Sequence, residues 1–358
     1  MLKAAVVGAT GIVGQQFIVA LRNHPWIEIA CLAASERSAG RSYRESLTDA
    51  RTHALRWYCD EPPVAEVIDL PVQNASEMDV AGVDLIFSAI DPDQAQVLEP
   101  KFAATKPVIS TASAFRYEAD VPILIPGINS DHAKLLQQQR KARGWKGFIT
   151  PNPNCTTIGL AITLKPIYDA FGIRSVIMTS MQAMSGAGRN LGVLGLDIID
   201  NVIPYISGEE EKVQRETQKI LGVLGGDGIK PAAFAVSCTC TRVNVSDGHT
   251  ESVFVSTEKP CEPEDVARVM REFAPKISSL PSAPKHMITV ISDPFRPQPR
   301  LDRMTENGMS TVVGRIRKDA VLENGIKYLL VSHNTRMGAA RGAVLMAEQL
   351  IADGYIKG

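Results

Sequence analysis

The feature that most constrains this chain stands at its start. A short apolar run, Lys3–Val7, leads directly into Gly8-Ala-Thr-Gly11-Ile-Val-Gly14, and a helical pattern over Ile12–Asn23 follows. Glycines permit a tight turn there and let backbone N–H groups approach a pyrophosphate at the helix N-terminus. The spacing is G-x-x-G-x-x-G, a variant of the usual dinucleotide fingerprint. Its meaning comes from its place between a first strand and a first helix. Further strand candidates are Ile27–Ala33, Val83–Ser88, Pro107–Ser110 and Pro122–Ile125, with helical stretches between several of them. Strands alternating with helices predict a parallel sheet covered on both faces. The segment from Ser38 to Pro63 is polar and irregular, and reads as a long loop or short helices.

The patterning changes near Thr150. A turn cluster, Thr150-Pro-Asn-Pro-Asn-Cys-Thr-Thr157, leads into an apolar helix over Thr156–Lys165. Longer strands follow at Val176–Ala183, Ala233–Val245, Glu251–Ser256, Thr311–Ile316 and Ile326–Ser332, with helices near Glu209–Leu221 and Pro263–Phe273. This is α+β patterning with a mostly antiparallel sheet. An amphipathic helix, Met337–Ala352, ends the pattern. The fold class is therefore α/β, a Rossmann-type dinucleotide-binding unit plus an α+β unit, and 358 residues are enough for two domains.

Composition removes several functions. Lys plus Arg is 38 and Asp plus Glu 39, a net charge of -1, which speaks against nucleic-acid binding by bulk electrostatics. No apolar run reaches ~18 residues, so no membrane span is expected. The N-terminal stretch reads as a first strand and not as a signal peptide. The six cysteines (31, 59, 155, 238, 240 and 261) are scattered, which fits a reduced cytoplasmic setting better than a disulfide framework. Cys238 and Cys240 form a C-x-C in a strand-like stretch and are read as facing opposite ways, against a metal site.

An NAD site has an acid about 20 residues beyond its glycines, where NADP takes a cation instead. The second strand ends Ala34-Ser35-Glu36-Arg37-Ser38. Ser35, Arg37 and Ser38 suit a 2′-phosphate through hydroxyl and guanidinium donors. Glu36 dissents, since it suits a ribose. The balance favours NADP.

Cys155 is the sharpest feature of the second half. It begins a predicted helix, whose N-terminus lowers a thiol pKa and offers N–H donors to an oxyanion. The bland alternative is a buried structural cysteine. A thiolate needs a base partner, and His249, in the turn Val245-Ser-Asp-Gly-His249, faces either a cleft or solvent. Arg242, on the preceding strand, suits a bidentate carboxylate clamp. Glu209 and Lys212 share one helix face, and are either pocket residues or a solvated helix start.

Taken together these residues resemble the aspartate-semialdehyde dehydrogenase family, particularly its archaeal and fungal form, over essentially the whole chain. The matching stretches are Gly8–Gly14, Ser110-Thr-Ala-Ser-Ala-Phe-Arg116, Pro151–Thr157, Gln182-Ala-Met-Ser-Gly-Ala-Gly188, Asp200–Pro204, Glu209–Lys212, Arg242 through His249, and His333-Asn-Thr335. The resemblance implies a reversible, NADP-dependent reductive dephosphorylation of L-4-aspartyl phosphate to L-aspartate 4-semialdehyde, in lysine, threonine, methionine and isoleucine biosynthesis. It implies Cys155 as nucleophile, His249 as acid/base and Gln182 orienting the substrate. Arg242 and Glu209 would bind the amino acid's carboxylate and ammonium, and Arg116, Asn154 and Lys212 the phosphate. Cofactor contacts would come from Gly8, Thr10, Gly11, Ile12 and Val13, from Ser35, Arg37 and Ser38, and from Ser185, Gly186 and Asn334. No step needs a metal. The family fold implies an NADP-binding Rossmann domain, residues 1–150 completed by a C-terminal helix in 333–358, and a catalytic and dimerisation domain, 151–332, in a homodimer or homotetramer.

Three positions depart from the family pattern: Thr111 where Asn is expected, Gly127 where many relatives have Glu, and Arg189 where Tyr is expected. The rival within the same chemistry is an acyl-CoA reductase such as malonyl-CoA reductase, which needs a CoA site and no phosphate site. Asn154 before the cysteine speaks for the phosphate-using enzyme. A non-catalytic NADP-binding sensor would have no need of Cys155, Gln182, Arg242 and His249 together.

Overall fold

A computed structural model describes residues 1–187, 195–226 and 228–357. Six parallel strands build the first sheet: β1 (Leu2–Val7), β2 (Ile27–Ala34), β3 (Val72–Asn74), β4 (Leu85–Ser88), β5 (Pro107–Ser110) and β6 (Phe148–Pro151). Their order is β3-β2-β1-β4-β5-β6. The chain runs outward one way through β2 and β3 and the other way through β4 to β6. The switch point therefore lies between β1 and β4, where open α/β sheets hold their ligands at the strand C-termini. The β4 run Leu-Ile-Phe-Ser is buried throughout, as a strand covered on both faces must be. The C-terminal helix Ala340–Ala352 returns to this sheet and buries Ala343, Val344, Ala347 and Leu350 in one cluster with Val6, Phe17 and Leu32.

The second sheet is mixed. Its strands are β7 (Ser175–Gln182), β8 (Val202–Ile203), then, after the ribbon β9 (Val223–Gly225) with β10 (Gly228–Lys230), β11 (Ala235–Val243), β12 (His249–Ser256), β13 (Ile288–Val290), β14 (Thr311–Lys318) and β15 (Gly325–Ser332). The order is β13-β14-β15-β12-β7-β11-β8. Only the β13–β14 and β7–β11 pairs are parallel. Helix Cys155–Phe171 packs on one face, burying Ile158, Ile162 and Leu164 in one core with Met178, Val253 and Leu330.

On that face the side chains form rungs. Arg242 lies opposite Gln182, and His249 opposite Ser332. One rung deeper, Cys240 pairs with Ser180 and Ser180 with Glu251. Deeper again, Cys238 and Val253 flank Met178. Polar residues thus fill the two rungs nearest the rim, and the stack turns apolar at Met178.

Several sequence expectations need correcting. Pro122–Ile125 is buried but is no strand. Pro122 has no N–H for a ladder, and side chains take the backbone groups instead: Asn129 Nδ2 donates to Ile123 O at 2.8 Å, and Ile125 N–H donates to Asn129 Oδ1 at 2.9 Å. The sixth strand, β6, lies where the sequence shows the start of a turn cluster. Cys238 and Cys240 face the same way, both buried, because residues two apart on a strand share a face. The last helix starts at Ala340, after turns through 334–339. Within Ser38–Pro63 a short helix, Tyr43–Leu47, is closed by a Ser42–Glu45 capping box.

Candidate active site

Two strand-to-helix turns open into one cavity of about 690 Å³, lined among others by Ile12, Val13, Arg116, Asn154, Cys155, Ser185, Gly186, Glu209, Lys212, Arg242 and Asn334. The first turn follows β1. Gly8 has φ +80°, and a Cβ there would lie 2.3 Å from Ala89 O. A Cβ on Gly14 would lie 2.2 Å from Gly8 O. The turn therefore requires glycine for its own closure. Gly11 caps the helix Ile12–Ala20 without any side-chain hydrogen bond. The first-turn N–H groups of Ile12 and Val13 have no carbonyl one turn earlier in the helix, and both residues line the cavity.

Beside this turn, Thr10, Ser35, Arg37 and Ser38 line a second hollow of about 470 Å³, together with Arg41, Arg51 and Arg56. Gln15, fully buried, ties the loop that carries the last two: its Nε2 donates to Thr10 O and Arg56 O, and its Oε1 accepts from Tyr58 N–H at 2.8 Å. Arg56 pairs with Asp49. Hydroxyls and several guanidinium groups beside an uncapped helix N-terminus suit a phosphorylated dinucleotide. Arg41, Arg51 and Arg56 were not singled out by sequence. Their one signal was the density of arginines in a segment read as irregular.

The second turn follows β6. Asn154 caps the helix Cys155–Phe171, its Oδ1 accepting from Thr156 N–H at 2.9 Å and Thr157 N–H at 3.2 Å. Cys155 is thereby held at the first helical position. Its Sγ is 3.2 Å from His249 Nε2. The other ring nitrogen, Nδ1, accepts the Ala183 N–H at 3.0 Å, which puts the proton of the neutral ring on Nε2, facing the sulfur. Burial, with Arg242 and His333 nearby, lowers the His249 pKa to about 3, so the ring is neutral at ordinary pH. Burial also pushes the Cys155 thiol up to about 12, and Glu209 adds to that. Arg242, Arg116 and the Thr156 N–H pull the other way. The expected lowering of the thiol by its helix N-terminus is thus present but outweighed by burial.

Charged groups surround the sulfur. Glu209 Oε1 accepts from Asn154 Nδ2 at 2.8 Å and from Gln182 Nε2 at 3.2 Å. Lys212 Nζ lies 3.9 Å from Glu209 Oε2. Arg242 Nη1 donates to Ala183 O at 2.8 Å. Gly186 packs over this pair, where a Cβ would lie 2.9 Å from Arg242 Nη1 and 3.1 Å from His249 Cε1. Asn334 is a bridge: its Oδ1 accepts from Gly248 N–H and its Nδ2 donates to Ser185 Oγ, both at 2.8 Å. Gln182 and His249 are buried beneath the cavity wall. Gly8 and Gly11 shape their turn without lining the cavity.

Two buried acids escaped the sequence reading. Glu216 accepts from Arg116 Nη1 at 2.9 Å and from the Asn154 backbone N–H at 2.6 Å. Glu251 lies two residues beyond His249 on the same face, its pKa pushed well up by burial, with neither carboxyl oxygen hydrogen-bonded among the described residues. Both looked like ordinary helix or strand charges. Of the three departures, Thr111 lines the cavity and spends its hydroxyl on Ser88 O. Gly127 has φ +79° and packs against Pro275, where a Cβ would come within 2.5 Å. Arg189 lies outside the described residues, as does Gly188.

Comparison with known proteins agrees across the chain. Residues 3–136 match the family model "Semialdehyde dehydrogenase, NAD binding domain", and residues 164–337 match "Semialdehyde dehydrogenase, dimerisation domain". The aspartate-semialdehyde dehydrogenase of Methanothermobacter thermautotrophicus is 46% identical over 350 residues, 97% of this chain and 98% of that one. The crystal structure of the Candida albicans aspartate-semialdehyde dehydrogenase with NADP superposes with a TM-score of 0.88 at 38% identity, covering 99% and 100% of the two chains. The Vibrio cholerae aspartate-semialdehyde dehydrogenase II, in complex with ASA, gives 0.78 at 28% identity, covering 99% of each.

Proposed function

The chain belongs to the aspartate-semialdehyde dehydrogenase family, and from that premise we propose that Cys155 is the nucleophile in the reversible, NADP-dependent conversion of L-aspartate 4-semialdehyde and phosphate to L-4-aspartyl phosphate. The observation that carries the assignment is the Cys155–His249 pair at a capped helix N-terminus, with Cys155 lining the cavity that the glycine turn also enters. The two domains divide at 150/151, with 333–358 returning to the first.

In the oxidative direction, the Cys155 thiolate adds to the aldehyde carbon and a hemithioacetal forms. A thiolate suits both halves of the cycle, as a strong nucleophile and a good leaving group. His249 meets the adduct through the Nε2–H that faces the sulfur, donating to the adduct oxygen as it turns negative, while the Ala183 N–H holds the ring in place. Arg242 takes the substrate carboxylate and Glu209 its ammonium, with Gln182 orienting the substrate. NADP, when bound, supplies the acceptor for the hydride that leaves the adduct. Thr10, Ile12, Val13, Ser35, Arg37, Ser38 and the Ser185–Gly186–Asn334 wall would hold it. The thioester left on Cys155 is opened by phosphate, placed by Arg116, Lys212 and Asn154. Arg116 Nε is buried and without a partner among the described residues, which leaves it a donor to give.

A homodimer or homotetramer is supported by large apolar side chains left exposed on and beside the second sheet: Ile177 on β7, Val202 on β8, and Leu196 and Ile199 in the segment before β8. No helix among the described residues is long and apolar enough to cross a membrane. The six unpaired cysteines support a reducing, cytoplasmic setting.

The test is NADPH formation from L-aspartate 4-semialdehyde, with and without phosphate, and with NAD in parallel. Phosphate-dependent turnover with NADP is expected. No turnover, together with NADPH oxidation by malonyl-CoA, would move the chain to the acyl-CoA reductase reading.

A further inference from the structure

The helix Glu209–Ile220 carries a second buried acid two turns beyond Glu209. Glu216 is fully buried, and a carboxylate removed from water persists only when both oxygens are answered. Here each is answered by a different segment. One oxygen accepts Arg116 Nη1 at 2.9 Å, from the loop after β5. The other accepts the Asn154 backbone N–H at 2.6 Å, from the turn that ends at Cys155. That N–H precedes the helix and has no helical acceptor, so without Glu216 it would be a buried orphan. One turn further on, Lys219 donates to the carbonyls of Arg116, Glu118 and Val121 at 2.8–2.9 Å, so the loop bearing Arg116 is fastened to the helix twice.

We propose that Glu216 is a positioning residue that sets the distance between the anion-holding Arg116 guanidinium and the Cys155 sulfur. The proposal rests on the reading of Arg116 as a phosphate ligand. It also has a consequence for charge. Glu216 neutralises the Arg116 guanidinium it holds, so the pair trades attraction for placement. Phosphate meets a fixed donor, and the bound anion arrives in line with the thioester.

Glu216→Gln separates placement from attraction. The amide offers one acceptor oxygen and one donor nitrogen to three partners, Arg116 Nη1, the Tyr117 hydroxyl at 3.4 Å and the Asn154 N–H, and since the two nitrogens can only donate, one of their contacts becomes a donor facing a donor. Loss of a hydrogen bond to a charged group lowers kcat roughly tenfold or more. The freed Arg116 charge, meanwhile, keeps the KM for phosphate at or below that of the parent, and the KM for the aldehyde stays put. A kcat within about threefold of the parent overturns the proposal. So does a parallel rise of both KM values with a lowered melting temperature, the signature of a merely structural acid. Glu216→Asp keeps the charge but withdraws it by one methylene. Should the glutamine variant not fold, the aspartate variant must show the same fall in kcat with an unchanged aldehyde KM, and parent-like turnover by it overturns the proposal. The parent chain tests the underlying reading separately: if its NADPH formation does not depend on phosphate, that reading fails and takes this proposal with it.

Discussion

The turn between β1 and helix Ile12–Ala20 and the turn between β6 and helix Cys155–Phe171 both present a helix N-terminus to one cavity. The first has glycine at its cap and no side-chain bond to the helix. The second is capped by Asn154, which in turn is held by Glu209 through its side chain and by Glu216 through its backbone. One turn closes tightly on its own backbone by lacking side chains and so leaves the N–H groups of Ile12 and Val13 bare; the other places a sulfur by surrounding it with side chains. On the proposed function, a large ligand that enters and leaves every cycle needs the first kind. A thiol that must meet a carbonyl at one angle needs the second. The two should therefore break differently: the glycine turn when an atom is added, the cysteine turn when a group is taken away.

Removing the sulfur is the largest break. Cys155→Ser should lower kcat by roughly 10⁴-fold or more, as loss of a covalent nucleophile does, while NADP binding, measured by fluorescence titration, stays as in the parent. Substantial retained turnover would sink the nucleophile assignment. Next comes His249→Asn, expected to cost about 10²–10⁴-fold in kcat if Nε2 handles the proton. A loss under about tenfold would reduce His249 to a residue of the turn.

The glycine turn answers with a smaller effect of the opposite kind. In Gly14→Ala the added Cβ meets Gly8 O at 2.2 Å, and overpacking of this sort costs about 1–3 kcal/mol. NADP affinity should fall roughly ten- to hundredfold, and iodoacetamide should still alkylate Cys155 at the parental rate. Equal damage to both would mean that the turns are not independent. Smaller again is Arg37→Ala, which removes one of several guanidinium groups at the second hollow. The preference for NADP over NAD should drop by about tenfold, the worth of one charge-assisted contact. An unchanged preference would hand the 2′-phosphate to Arg41, Arg51 and Arg56.

The same contrast explains what could be read from the sequence. The glycine turn is a local device, three residues at fixed spacing between a strand and a helix, so Gly8, Gly11 and Gly14 announced both the sheet and its ligand. Cys155 was legible for the same reason, since Asn154 and the prolines mark a helix start. The residues around it come from far along the chain. Glu216 sits 100 residues from Arg116 and 62 from Asn154, in a helix whose first turn alone holds three other acids. Nothing local separates it from a solvated charge. The strand β6 was hidden by its own sequence, because Thr150 and Pro151 look like turn residues. Pro122–Ile125 erred in the other direction: its apolar run reads as a strand, but Asn129 and Thr150 supply the hydrogen bonds a neighbouring strand would have given.

Acid should also tell the two turns apart, with the smallest effect. Gly8–Gly14 carries no titratable side chain. Beside the cysteine turn, the His249 pKa is lowered in the folded state to about 3 from an ordinary 6.5. Below pH 6.5 the unfolded chain therefore binds a proton that the folded chain refuses, the unfolded state gains, and stability falls as pH drops from 6.5 toward 3. Glu251 has the opposite slope, since its raised pKa makes stability fall as pH rises above 4.5. The bare melting curve of the parent mixes these terms, whereas the difference between the parent and His249→Asn isolates the histidine. Between pH 6.5 and 5 that difference should shift by roughly 1.5 kcal/mol against the parent, a few degrees in melting temperature. A Gly14→Ala variant set against the same parent should show no such shift. If the His249→Asn difference were flat across that range, the imidazole would already be exposed to protons in the folded state. The sulfur would then face a ring that can carry charge at rest, and the buried, neutral pairing at 3.2 Å would not describe the working site.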